Sequence, residues 1–258
     1  VSALPSPRVT LAVAARVLRQ VRRDHRTLAM LVVLPSVVLT LLWWMFREVP
    51  TVVGSPFDSL GPPLLAIIPF IVMFLVTSVT TLRERTSGTL ERLLSMPVGK
   101  LDLLGGYAVA FGLLALVQST LAVAVCVGLL GLAVEGPVAV LVVVAVADAV
   151  LGTALGLLVS AFAATEFQAV QFMPLVVIPQ ILLCGLFVPT DQMPSVLGAV
   201  ASVLPLTYAV EAMQAVAGGG SSTWDGVAGD VGVDLLVVLA FAVVALGLGA
   251  ATLRRRTA

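Results

Sequence analysis

The sequence predicts an all-α integral membrane protein with six transmembrane helices, an N-terminal cytoplasmic amphipathic helix, and an external re-entrant helical pair before the last span. Three observations carry that prediction. Mean hydropathy is +1.14 over 258 residues, apolar runs long enough to cross a bilayer, about 20 residues each, recur six times, and Lys and Arg are distributed unevenly between the connecting loops. Lys+Arg and Asp+Glu balance at 14 each, so net charge favours neither nucleic acid nor an acidic substrate. Cys126 and Cys184 sit far apart in apolar runs without metal-ligand spacing and read as small packing residues.

The N-terminal stretch has no short apolar core followed by a small-residue cleavage site. No removable signal peptide is therefore expected, and the first span serves as the targeting signal. Ser6 and Pro7 open a helix over 7–26. In it Arg16, Arg19, Arg22 or Arg23, and Arg26 recur every three or four residues, opposite Leu11, Ala14, Val17, Leu18 and Val21. Such a helix is expected on the cytoplasmic face, its apolar side at the headgroup boundary and its arginines toward anionic membrane lipid. A positive-inside flank with no other task is the plainer reading, and the two are compatible.

Spans are expected at 27–46, 60–82, 103–133, 138–164, 168–188 and 234–253, the third and fourth joined as a hairpin by "VEGP". With both termini cytoplasmic, thirteen of the fourteen basic residues fall inside and only Arg47 outside. The loop at 189–233 has no Lys or Arg but carries Asp191, Glu211, Asp225 and Asp230, which places it outside. Within it, 194–203 and 205–217 read as helical pieces too short to span, a re-entrant or interfacial pair occupying 189–220. Gly218 to Ser222 form a flexible connection to the last span. No repeat of fixed period is present, and residues 1–258 read as a single transmembrane domain.

Several chemistries lack their residues. There is no glycine-rich phosphate loop ahead of Lys100, no H-E-x-x-H, no paired intramembrane carboxylates, and no serine with a histidine partner, since His25 stands alone among arginines. The chain is not expected to be an enzyme, and no catalytic residue, cofactor, metal or nucleic-acid partner is expected for it.

Charge concentrates instead at 82–102, where Arg83, Glu84, Arg85, Glu91, Arg92, Lys100 and Asp102 fall together. Gly88 can begin a short helix there, with Glu91 placed to bond back to its exposed amides and Pro97 ending it. Leu90, Leu93 and Leu94 share one face. A helix of about two turns does not hold together alone in water. It must dock against its own bundle or in a groove of a soluble partner.

The run "RERTSGTLERLLSMPVGKLDLLGGY" resembles the cytoplasmic loop between the second and third spans of type-2 ABC exporter permeases, with its G-T-L-E-x-L-L-x-x-P pattern. A second stretch, "LLCGLFVPTDQMPSVLGAVASVLPLTYAVEAMQAV", resembles that family's fifth-span end and external helical pair. The resemblance implies a permease subunit that exports an amphiphilic or drug-like molecule, an antibiotic or a lipid, from the cytoplasm or inner leaflet of a bacterial plasma membrane. It also implies two copies of a separate ATPase subunit carrying ATP and Mg, and a second permease copy or sister permease. By match to the motif, Glu84, Arg85, Gly88, Thr89, Leu90, Glu91 and Leu94 (83–100 being the coupling loop) would form the surface that couples to the ATPase.

Polar residues within spans give further candidates. Asp148, near the middle of the fourth span, is either a bundle-facing structural group bonded to Thr153 or Gln118, or a transport residue. The resemblance suggests that the second and fifth spans line the pathway at a dimer interface, which nominates Phe70, Phe74, Gln171, Phe172 and Gln180 beside Asp148. Helix-to-helix hydrogen bonding is the alternative for the glutamines. Trp43 and Trp44 fit an interfacial aromatic belt. Two rival functions remain: a proton-coupled secondary transporter using Asp148, and a non-transporting scaffold or immunity protein that holds a soluble partner with the 83–100 loop.

Overall fold

The computed structural model describes residues 6–49, 55–88, 99–219 and 224–252. Among these residues the ordered elements are all helical. They are α1 Pro7–Arg23, α2 His25–Phe46, α3 Pro56–Thr86, α4 Lys100–Val123 continued by a π-helical stretch Ala124–Leu129, α5 Val138–Ser160, α6 Glu166–Leu183, α7 Ser195–Ala201, α8 Pro205–Ala217 and α9 Trp224–Thr252.

Six described helices are long and apolar enough to cross a bilayer: α2, α3, Gly105–Leu129, α5, α6 and Val231–Gly249. This is a multi-pass membrane protein. Each helix coincides with a predicted span, and the differences lie at the ends. The third stops at Leu129 rather than 133, where the Leu132 amide turns back onto the Cys126 carbonyl at 2.9 Å. The last begins at Trp224, ahead of the expected 234. α6 runs unbroken through Pro174 and Pro179.

Helix starts follow local capping chemistry. Ser55 and Asp58 form a reciprocal capping box on α3. At α6 the Thr165 hydroxyl accepts from the Gln168 amide at 3.2 Å, and the Gln168 carbonyl oxygen accepts from the Ala164 amide at 2.8 Å. Gln168, read as a polar group within a span, is therefore a capping residue.

The bundle is built around α3 and α5. The apolar stretch of α3 is 72% buried, against 17% for α2 and for α6, so α3 is the axis and those two lie at the periphery of the bundle. α3 and α5 touch backbone to backbone: a Cβ at Gly152 would lie 2.5 Å from the Phe70 carbonyl oxygen, and one at Gly156 2.5 Å from that of Phe74. The G-x-x-x-G spacing puts both glycines on one face, and close packing is what joins helices where lipid removes the hydrophobic drive between them.

The predicted short pieces appear as α7 and α8, bent by 89° to each other, with the corner held by the Tyr208 hydroxyl donating to the Ser202 carbonyl at 2.7 Å. The α4–α5 turn docks on the end of α8 through the Glu135 amide to Ala217 (3.1 Å) and the Gly136 amide to Val216 (3.0 Å).

α1 departs from expectation in what it covers. Val13, Ala14, Val17 and Val21 are buried in a cluster with Leu103, Tyr107 and Ala110 of α4 and with α3 residues, so most of its apolar face meets protein, not headgroups; Leu18 is half-buried and Leu11 stays exposed.

Candidate functional site

The charge cluster forms a hub at the end of α3. Arg83, Glu84 and Arg85 are consecutive, so their side chains leave the helix about 100° apart and reach three different sides. Arg83 makes a two-pronged pair with Glu166 at the start of α6, at 3.0 and 3.2 Å, and lies 3.7 Å from Asp24 at the start of α2. Glu84, only 3% exposed, accepts from Arg16 of α1 at 2.9 Å and from the Tyr107 hydroxyl of α4. Arg85 donates to the Ser160 carbonyl at the end of α5. One helix end thus ties together five others. Burying a charged carboxylate is costly unless it is paired and hydrogen-bonded, and Glu84 has both partners.

A second carboxylate completes the seat of α1. Asp102 accepts from the Ser6 amide at 2.6 Å and the Thr10 hydroxyl at 3.2 Å. Ser6 therefore opens α1 through its backbone rather than by a side-chain cap. Gly105 and Gly106 let α1 lie close on α4, since a Cβ on Gly106 would sit 2.5 Å from Val13. The next residue, Tyr107, then reaches Glu84. Asp24 caps α2: the Thr27 hydroxyl and amide, with the Arg26 amide and the Arg83 charge, hold its carboxyl below its ordinary range.

Gly88, at φ +70°, occupies the left-handed conformation that ends a helix. It stops α3, whereas the sequence reading had it open the next helix. Thr89, Leu90, Glu91 and Leu94 lie outside the described residues. The coupling candidates therefore separate: Glu84 and Arg85 point into the bundle, and Gly88 marks where α3 ends.

A sequence model of the family described as ABC-2 type transporter matches residues 8–217, from α1 through α8. The chain belongs to that family. It is 30% identical over 169 residues to ABC transporter G family member 20 of Dictyostelium discoideum, covering 64% of this chain and 23% of that protein. It is 28% identical over 156 residues to the probable multidrug ABC transporter permease YbhS of Escherichia coli K12, covering 60% and 41%. It is 28% identical over 178 residues to the linearmycin resistance permease protein LnrN of Bacillus subtilis 168, covering 68% and 44%. The matched part spans less than half the length of each of these curated relatives.

In this ABC-2 chain the pathway candidates do not gather at one surface. Phe70 and Phe74 are fully buried in the α3–α5 core, Gln171 is exposed on α6, and Phe172 is half-buried. Gln180 is buried and donates to the Val176 carbonyl of its own helix at 3.0 Å. Asp148 is fully buried, and neither of its oxygens has a hydrogen-bond partner. The bonds anticipated for it are not made: Thr153 donates to Ala149 at 3.0 Å, and the Gln118 amide is itself unpartnered. Trp44 is exposed, and Arg47 stacks over Trp43 at 5.4 Å. Among the described residues no three His, Cys, Asp or Glu stand close enough to hold a metal.

Sequence reasoning missed Arg16, Asp24, Tyr107 and Glu166 as members of this site. One signal was present. Tyr107 is one of only two tyrosines, and it follows a Gly-Gly pair near the start of an apolar span, five residues after Asp102.

Proposed function

We propose that this chain is the permease subunit of an ATP-driven exporter, a role that belongs to the ABC-2 type family read onto this hub. A separate ATPase subunit, present in two copies and carrying ATP and Mg, docks on the segment between Gly88 and Gly99. The hub at the end of α3 passes its movement to α1, α2, α4, α5 and α6. The observation that carries this reading is the divergence of Arg83, Glu84 and Arg85 to those five elements from the last turn of α3, just ahead of that segment in the chain. Glu84 and Arg85 then act from behind the docking surface, and Thr89, Leu90, Glu91 and Leu94 supply its contacts.

The arginine bias puts both termini and the hub in the cytoplasm of a bacterial cell, with α7 and α8 at the outer mouth. The cargo class is an amphiphile, in keeping with the relatives named for multidrug and linearmycin permeases and with the apolar character of the spans. A second copy or a sister permease completes the pathway.

The test is purification from the native membrane in mild detergent, with a Glu91→Ala, Leu94→Ala variant in parallel. Co-purification of an ATPase bearing a phosphate-loop sequence with the wild type, and its loss from the variant, is the expected result. Equal ATPase in both preparations, or none in either under several gentle conditions, overturns the docking site.

A further inference from the structure

The arginines at the α1 end of the bundle are not equally provided for. Arg16 has Glu84, and Arg83 has Glu166 and Asp24. Arg85 is half-buried, and among the described residues no carboxylate stands within ion-pair distance of it. Its one side-chain bond among the described residues, to the Ser160 carbonyl, meets the end of α5, where a helix presents only about half an elementary charge. A guanidinium has five N–H donors, so most of Arg85's are unspent.

Beside it lies a partly open crevice between α3, α4, α5 and α9 with about 430 Å³ of empty volume, its open mouth included, lined by Thr81, Arg85, Tyr107, Leu157 and Leu246 among others. The Thr81 side chain is more than nine-tenths buried, and its hydroxyl has no partner. The crevice therefore combines an unneutralised cation and an unused hydroxyl with apolar walls, and its rim at Leu246 and Thr252 is half-exposed on the flank of the bundle. A water-soluble anion would gain nothing from those walls, and a neutral lipid nothing from the cation. A buried polar group without a partner is costly, so an occupant that supplies acceptor oxygens is favoured over apolar chains alone.

We propose that this crevice seats an anionic phospholipid, its phosphate oxygens on the Arg85 guanidinium and the Thr81 hydroxyl and its acyl chain along Leu157 and Leu246. The site is built from residues other than the docking segment and holds whether or not an ATPase drives the protein.

The experiment is thermal unfolding of the purified full chain in dodecyl maltoside micelles, with phosphatidylglycerol, phosphatidylcholine or inorganic phosphate added at equal concentration. Phosphatidylglycerol alone raises the wild-type melting temperature. Arg85→Gln weakens the apparent lipid affinity roughly tenfold or more, the loss expected for a charge-assisted contact. Should Arg85→Gln fail to fold, Thr81→Val and the crevice-filling Leu246→Trp keep the arginine and still lose much of the shift. Arg22→Gln, Arg23→Gln, on the exposed face of α1, keeps it. The proposal is overturned if Arg85→Gln or Leu246→Trp responds like the wild type, if phosphatidylcholine or inorganic phosphate protects equally, or if the α1 variant alone abolishes the effect.

Discussion

The Glu84 carboxylate lies 2.9 Å from the Arg16 guanidinium, joining residues 68 positions apart and fixing α1 to the end of α3. Glu84 is almost wholly buried while Arg16 keeps 28% of its side-chain surface, so removing the arginine strands a buried charge. Arg16→Ala is expected to destabilise the protein by about 3 kcal/mol, and the double variant with Glu84→Gln by less than the sum of the two single changes. Melting temperatures of the four proteins in one detergent give that cycle. Additive effects would mean the pair does not hold α1.

Gly156→Ala should be among the most damaging small changes. Its new Cβ meets the Phe74 carbonyl at 2.5 Å, backbone that cannot move aside. The expected loss is about 3 kcal/mol, at the upper end for overpacking. Gly112→Ala in α4, with nothing within 4 Å, is the internal control, expected to gain up to about 1 kcal/mol from helix propensity. If both variants melt together, the α3–α5 contact is looser than described.

Asp148→Asn tests the proton-coupled alternative. Asp148 has no ion-pair or hydrogen-bond partner among the described residues, so a neutral side chain of the same shape breaks no contact. Transport by the intact complex is expected to stay within about twofold of wild type, a change of less than half a kcal/mol in barrier. Complete loss of transport with normal expression would make Asp148 part of the coupling.

A pH dependence follows from Asp24. Its folded-state carboxyl is held below the ordinary range by Thr27, so its contribution to stability is complete above the unfolded value of about 4 and is lost as pH falls through the lower folded value. Asp24→Ala removes an N-cap and should cost about 1 kcal/mol at pH 7. The difference in melting temperature from wild type should shrink as pH falls below about 4. A difference independent of pH would mean that the charge on Asp24 does not matter.

The six spans and the α7–α8 pair were legible because hydrophobic length and proline-opened short runs are local signals. Ser55 with Asp58 and Thr165 with Gln168 belong to the same local class, although Gln168 was misread for lack of knowing where the membrane stops. The hub was not legible. Glu84 stood out as charged, but its partners Arg16 and Tyr107 are 68 and 23 positions away, and nothing in one sequence pairs distant residues. The same limit explains α1: its amphipathic pattern fits a headgroup boundary as well as it fits α4, and only Gly105 and Gly106 favour the protein side. The G-x-x-x-G of α5 lay in plain view, yet glycine is common in membrane helices and its register with Phe70 and Phe74 exists only in three dimensions.

The central claim is that movement delivered at the segment between Gly88 and Gly99 reaches α1 through Glu84. Its most direct test is the distance between spin labels at Ala12→Cys on α1 and Val203→Cys at the α7–α8 corner, which the hub does not touch, both exposed, in the complex with its ATPase; Cys126 and Cys184 are buried and should escape labelling. The account predicts that ATP shifts this distance in the parent protein and that Glu84→Gln abolishes the shift while the ATPase stays bound. An undiminished shift in Glu84→Gln would contradict it.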